Sequence, residues 1–280
     1  MTIYLRPPQP PLNRFIECFW YVDLQVPYTR EKILPTSTIE LIINFGPPHR
    51  KYNSAETEFD LMRDSWIAGF QTGFIVNEPV AETKMMGVRF KPGGAYPFLA
   101  LPIIEVTNFV LDLDDIWGPF AAEIRERLLC QPTVTAKFCL LEQIMLECLN
   151  GDKLSIAAVD FAINHIFSSQ GNLSLRELSD NIGISQKHLN HQFKQSVGVS
   201  PKQLSRVAKF QNVLKQINSA APINWSEIAY MCNYYDQAHF NHDFARFTGM
   251  SPTDYVSFRQ SFLDSASSQG GDAHFVPIIG

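Results

Sequence analysis

SQKHLNHQFKQSVGVSP (185–201) aligns without gaps to DQAHFNHDFARFTGMSP (236–252). Gln, His, Asn, His, Phe, Gly, Ser and Pro recur at eight of seventeen positions, at an offset of 51. Upstream, LRELSDNIGI (175–184) aligns to WSEIAYMCNY (225–234) at an offset of 50, so the second turn carries one extra residue. A repeat of this length is one supersecondary unit used twice. Each copy reads as helix, tight turn, helix. Ser179 and Ala229 are small residues where two helices cross closely, and Gly183 can take the positive φ of a tight turn. Ser185 and Asp236 suit the N-cap of the second helices. Leu189 with Phe193, and Phe240 with Phe244, are i,i+4 pairs that turn each second helix towards its core. The opposite faces carry Lys187, Asn190, His191 and Lys194 in one copy, and Gln237, Asn241, His242 and Arg246 in the other. Amides, imidazoles and basic groups suit base edges and phosphates.

Around the repeat, the pattern from 153 onward is helical. Helices are expected over 153–168, 174–181, 185–196, 201–218, 225–232, 236–247 and 252–262. The expected helix 201–218 spans about 27 Å at the standard rise. Two second helices held apart by such a rod match successive major grooves, about 34 Å apart on one face of DNA. His188, His191, His239 and His242 have an HxxH spacing that can ligate a metal on a helix. Within one unit only Asp243 would complete a ligand set, and it points elsewhere, so neither a metal site nor a cofactor is expected.

The charge follows the same division. The 280 residues hold 23 Lys+Arg and 28 Asp+Glu, a net charge of -5. Residues 1–152 carry 13 basic and 19 acidic groups, whereas 153–260 carry 10 basic and 7 acidic. Five of the seven histidines also lie in 153–260, so only this segment has the balance of a nucleic-acid binder. The five cysteines are odd in number and lack CxxC spacing, which points to reduced thiols. MTIYLRPPQPPLNRF (1–15) has no apolar stretch like that of a signal peptide, and no run of about 18 apolar residues occurs. A cytoplasmic chain without a membrane partner is expected.

Residues 1–100 read as strands and turns. Ile16–Leu24, Ile39–Phe45, Ser65–Phe70 and Thr83–Phe90 are rich in β-branched and aromatic residues, with Pro, Gly, Asn and Asp between them. Helices follow over 94–150. Val134, Phe138, Leu141, Met145 and Cys148 make one apolar seam, which serves either the sheet of the same domain or a homodimer. Gly93-Gly94 follows a strand and reads as a simple turn or, less simply, as an anion site at a helix start. Trp20, Trp66, Arg89 and Tyr96 either line a pocket or belong to the core, and Glu40 suits a solvent-facing strand position.

The expected fold is α+β. A β-rich, sensor-like or dimerisation domain with helices occupies 1–150. An all-α domain occupies 153–262, with two helix-turn-helix units joined by a long helix. A disordered tail is expected over 263–280, although its end, FVPII, is oddly apolar.

Residues 153–260 resemble the C-terminal DNA-binding domain of the AraC/XylS transcriptional regulators. The resemblance rests on LSLRELSDNIGISQKHLNHQFKQSVGVSPKQLSRVAKFQNVL and INWSEIAYMCNYYDQAHFNHDFARFTGMSPTDYVSFR, and it covers both units and the helix between them. Arg206 stands where the family has a basic residue near the start of that helix. The resemblance places base contacts on Lys187, Asn190 and His191, and on Gln237, Asn241 and His242. The family usually has Gly-Phe at Asn233-Tyr234, Arg at His191 and His242, and Lys at Ala245. Asn tolerates the left-handed conformation, so the turn survives. More loosely, ILPTSTIELIINFG (33–46) and MGVRFKPGGAYPFLALPIIEVTN (86–108) resemble a sensor-like domain attached to some of these regulators.

The expected function is a DNA-binding transcriptional regulator, not an enzyme. Its expected partners are double-stranded DNA, a small-molecule effector, a second copy of the chain and RNA polymerase. The alternatives are a small-molecule enzyme or a protein-interaction domain in 1–150, fused to a DNA-targeting domain. No HExxH, GxSxG or paired-cysteine metal motif is present in the sequence. Turnover by 1–150 would favour the enzyme, and ligand-dependent operator binding would favour the regulator.

The two histidines at arginine positions carry a prediction. Imidazole titrates near pH 6.5 and arginine does not titrate in the accessible range. A DNA phosphate favours the charged ring, so operator affinity should rise as pH falls from 8 to 6. His191→Arg and His242→Arg should bind more tightly at pH 8 and lose much of that dependence. Each added charge should steepen the salt dependence by about one ion. Operator titrations at two pH values and several salt concentrations test this, and an unchanged pH profile in the double variant would refute it.

Overall fold

The computed structural model describes residues 2–26, 28–53, 56–153, 156–217, 223–265 and 275–278. In the N-terminal half, β1 (Thr2–Arg6), β2 (Ile16–Gln25), β3 (Arg30–Ile33), β4 (Ile39–Asn44) and β5 (His49–Tyr52) come first. They are followed by β6 (Phe59–Met62), β7 (Ser65–Ala68), β8 (Ile75–Glu78), β9 (Glu82–Phe90) and β10 (Val110–Asp112). Then come α1 (Asp114–Trp117), α2 (Pro119–Leu129) and α3 (Val134–Cys148). The C-terminal half holds α4 (Ala157–Ser168), α5 (Leu175–Ile182), α6 (Gln186–Ser196) and α7 (Pro201–Gln216). It continues with α8 (Trp225–Met231), α9 (Gln237–Thr248) and α10 (Pro252–Ser265), and a last strand β11 (Phe275–Ile278).

The strands form two antiparallel sheets, ordered β1-β2-β9-β4-β7-β10 and β11-β3-β8-β5-β6. The four strands expected from sequence are β2, β4, β7 and β9 of the first sheet. On one face of it Phe19, Leu41, Ile43, Ile67, Met86 and Val88 are buried. They join one core with Ile124 and Leu128 of α2 and Phe138, Leu141, Ile144 and Met145 of α3. The α3 seam is therefore covered within the chain, with Val134 and Cys148 at its half-buried margins. The other face is a smaller core of Ile42, Met62 and Trp66, flanked by Trp20, Ala68, Met85 and Val110. Met62 belongs to the second sheet, so this cluster is where the two sheets meet.

The second sheet departs from the sequence reading. Its strands REKI, HRKY, FDLM and IVNE are four residues each and rich in charge. Cross-strand ion pairs replace a clean apolar alternation: Arg50 to Glu78 at 2.6 Å and Lys51 to Asp60 at 3.2 Å. Glu31 is buried between Tyr28 and Asn77, whose hydroxyl and amide donate at 2.6 and 2.9 Å. Desolvation raises its pKa. The apolar end of the tail also finds a use. Phe275–Ile278 pairs with β3 as the edge strand of this sheet, in place of the disorder expected there. Residues 266–274 and 279–280 of that expected tail lie outside the described residues.

Helix ends in the C-terminal half follow the expected caps. Ser185 Oγ accepts from His188 N at 3.2 Å, and Asp236 Oδ1 accepts from His239 N at 2.7 Å. Ser200 and Gln203 close a capping box at the start of α7. Gly183 has φ +79° and Asn233 has φ +59°, so Asn does adopt the left-handed turn. Lys209 of α7 holds that turn by donating to Asn233 O at 2.9 Å. The linker helix α7 is 16 residues rather than 18, about 24 Å long.

His49 yields a stability prediction. It is buried against Trp66, with ring centroids 5.9 Å apart, and its Nε2 lacks a hydrogen-bond partner among the described residues. Burial pushes its pKa down to about 4. The unfolded chain, with a histidine near pH 6.5, binds a proton that the fold rejects between those values. The contribution is fully present above pH 6.5 and falls by up to about 3 kcal/mol as pH drops through 4. Between pH 7 and 4.5, His49→Leu should lose about 2 kcal/mol less stability than the wild type in denaturant unfolding. Equal losses would show that His49 is not the acid-sensitive group.

Candidate nucleic-acid interface

Each second helix is set by a buried aromatic or aliphatic pair on one side, which decides what the other side presents. In α6, Leu189 and Phe193 are fully buried. In α9, Phe240 and Phe244 are buried, and Phe210 of α7 packs on Phe244 and Phe247 at 5.7 and 4.8 Å between centroids. The faces opposite are accessible. Lys187, His191, Lys194, Gln237, Asn241, His242 and Arg246 are exposed, and Asn190 is half-buried.

In the first unit, Lys187, Asn190, His191 and Lys194 line one surface hollow of about 490 Å³, together with Ser200 and Gln203. The sequence reading took Ser200 and Gln203 only as the start of the next helix. Their capping-box spacing is visible in the sequence, but it says nothing about facing α6. Gln203 Oε1 accepts from Ser200 N at 3.0 Å, so the amide is already oriented. Asn190 Nδ2 donates to Gln186 O at 2.9 Å.

The second unit is organised by an ion pair. Asp243 is 2% exposed, and Arg206 of α7 forks onto its two carboxylate oxygens. The hydrogen bond to Asp243 is the main cause of a raised Arg206 pKa. Arg206 therefore fixes α9 against α7 and is not free for DNA. Asp243 does not point away from the histidines, as the sequence reading had it: His239 and His242 lie 3.8 and 3.7 Å from the same carboxylate, because Arg206 draws it to the α7 side of α9. Gln192 stands at the matching place in the first unit, so only the second unit has this acid behind its histidines. Ser226 Oγ donates to Gln237 Oε1 at 2.9 Å, which ties the first helix of the unit to the second. Tyr235, the residue without a counterpart in the first unit, is 93% exposed beside the cap of α9.

The remaining candidate residues separate. Trp20, Trp66 and Arg89 share one face of the first sheet, where Arg89 Nε donates to Glu40 Oε1 at 2.6 Å. Glu40 is thus an ion-pair partner, not merely a solvent-facing group. Tyr96 lies apart, under Lys153 at 5.2 Å. Gly93 and Gly94 lead into the 3-10 turn Tyr96–Phe98, with Gly94 against the Phe15 backbone, so the pair reads as a packed turn. No helix of the described residues is long and apolar enough to cross a membrane.

Comparison with known proteins matches two separate stretches of the chain. Residues 178–257 match a helix-turn-helix domain, and residues 5–112 match a domain of unknown function, DUF6597. The probable transcriptional regulator LumQ of Photobacterium leiognathi is 26% identical over 173 residues, 58% of this chain and 68% of LumQ. Among solved structures, ToxT of Vibrio cholerae is 11% identical with a TM-score of 0.46, covering 85% of this chain and 98% of ToxT. The C-terminal domain of AraT of Geobacillus stearothermophilus is 24% identical with a TM-score of 0.34, covering 42% of this chain and 97% of that domain. With its paired, capped helix-turn-helix units and these matches in sequence, the chain carries a helix-turn-helix DNA-binding domain over residues 178–257 and is similar to a transcriptional regulator.

Proposed function

We propose that the protein reads DNA through α6 and α9, seated in successive major grooves on one face of the duplex. The observation that carries this is the pair of polar helix faces joined through α7, which follows α6 directly and holds α9 at Arg206 and Phe210. Lys187, Lys194 and Arg246 suit phosphates, while Asn190, Gln237 and Asn241 suit base edges. His191 and His242 complete the two faces. Regulators of this class are not normally enzymes, and residues 1–150 fit a role as an effector-responsive or dimerisation domain. The α3 seam is spent on the sheet, so a homodimer would need another surface. Residues 153–262 then act as the DNA-binding unit, in the cytoplasm, where RNA polymerase is the natural partner.

Binding-site selection with the purified chain supplies the operator. Asn190→Ala and Asn241→Ala should then each relax a different part of the footprint, at a cost of roughly 1–3 kcal/mol per lost base contact. If both variants altered the same base pairs, the assignment of one helix to each groove would be wrong.

A further inference from the structure

The two recognition helices end alike. Gly198 and Gly249 are the same position of the repeat, and both have positive φ, +92° and +72°. The N-terminal half touches both of them. A Cβ on Gly198 would lie 2.4 Å from Thr107 Oγ1 and 2.9 Å from Ile103 Cγ2. A Cβ on Gly249 would lie 2.7 Å from the Phe74 ring and 3.0 Å from Lys32 Nζ. A Cβ at Gly198 would also meet the Ile103 backbone carbonyl at 3.1 Å, whereas one at Gly249 would displace the Phe74 and Lys32 side chains that hold the end of α9.

The polar contacts are also paired. The last carbonyls of a helix have no partner within it, and they form the negative end of its dipole. Thr107 Oγ1 donates to Gly198 O at 2.8 Å, just past α6. Lys32 Nζ donates to Thr248 O at 3.4 Å, the last residue of α9, and lies 4.5 Å from the Phe74 ring. A third contact, Gln211 Nε2 to Pro35 O, meets α7 between them. Thr107 follows the 3-10 turn Ile103–Val106, whereas Lys32 lies on β3 of the second sheet. These are separate parts of one N-terminal core.

We propose that the N-terminal half is a two-point clamp that sets the distance and angle between the two DNA readers. Thr107 and the Lys32–Phe74 pair are its positioning residues. The inference rests on the two-reader reading above. Both helices are held at their C-terminal ends, so the faces left to meet DNA keep one fixed relation. Tolerance for half-site spacing is then decided partly outside the helix-turn-helix domain.

The test uses the full chain and a series of selected operators, with zero, one or two base pairs added or removed between half-sites. The variants are Thr107→Val, Phe74→Ala and the double substitution. DNA carrying a single half-site is the control. Wild type should lose roughly tenfold in affinity for one added base pair, the size of one mismatched contact. The double variant should lose about threefold or less, with single half-site affinity within about twofold of wild type. Thr107→Val removes one hydroxyl and keeps the shape, so it reports even if Phe74→Ala fails to fold, and it should broaden the profile in part. A wild-type spacing profile in the variants would overturn the clamp. So would an equal loss or gain of affinity at every spacing and on the single half-site, since a merely structural role predicts that. If wild type bound every spacing equally, the two-reader reading itself would fall, and that outcome is visible before any variant is made.

Discussion

The structure depends on α7 burying two sides at once. Leu204, Val207, Ala208, Phe210, Val213 and Leu214 are all buried along its 16 residues. One side meets α4, where Ser205 Oγ donates to Gly171 O at 2.5 Å. The other takes Phe244 and Phe247 against Phe210, and Asp243 against Arg206. Neither helix-turn-helix unit has enough apolar surface to be a stable domain alone. Sharing one helix as a wall solves that problem for both, and it also ties the two units to one rigid element.

The Arg206–Asp243 pair adds direction to that burial. Apolar contact alone is non-directional and would tolerate rotation of α9 on α7. A buried carboxylate gripped through two guanidinium nitrogens does not, because any rotation would leave a charge unpaired at a cost of several kcal/mol. The first unit manages with Gln192 at that place and with a capped, glycine-bearing turn. The two units thus reach one geometry by different means.

In the N-terminal half, the two sheets divide the work by composition. The first sheet has a near-continuous apolar face and carries α2 and α3. The second is held by cross-strand charge pairs and by burial of Glu31 and His49, whose desolvation is offset by neighbours in one case and by loss of charge in the other. A sheet of that kind can turn a cation outward from its edge region, and Lys32 meets the end of α9 there. Burial lowers the pKa of Lys32, as expected of an ammonium drawn into a contact between two halves.

How much of this was legible in the sequence depended on how local the signal was. The repeat, the caps at Ser185 and Asp236, the apolar pairs Leu189–Phe193 and Phe240–Phe244 and the strands β2, β4, β7 and β9 are all short-range patterns. Periodicity and capping chemistry report them directly. The outward placement of Lys187, Asn190, His191 and their counterparts followed, because a helix with one apolar face has only one other to show. The strands REKI, HRKY and IVNE carry no such pattern, since their stability comes from partners 28 to 48 residues away. The strand made by the C-terminal tail, the Arg206–Asp243 pair and the grip of Thr107 and Lys32 on the ends of α6 and α9 are likewise contacts between distant segments. Sequence alone determined which polar face each second helix leaves exposed. Only the tertiary structure decided how the two helices are held relative to each other, because that depends on long-range packing that no local pattern encodes.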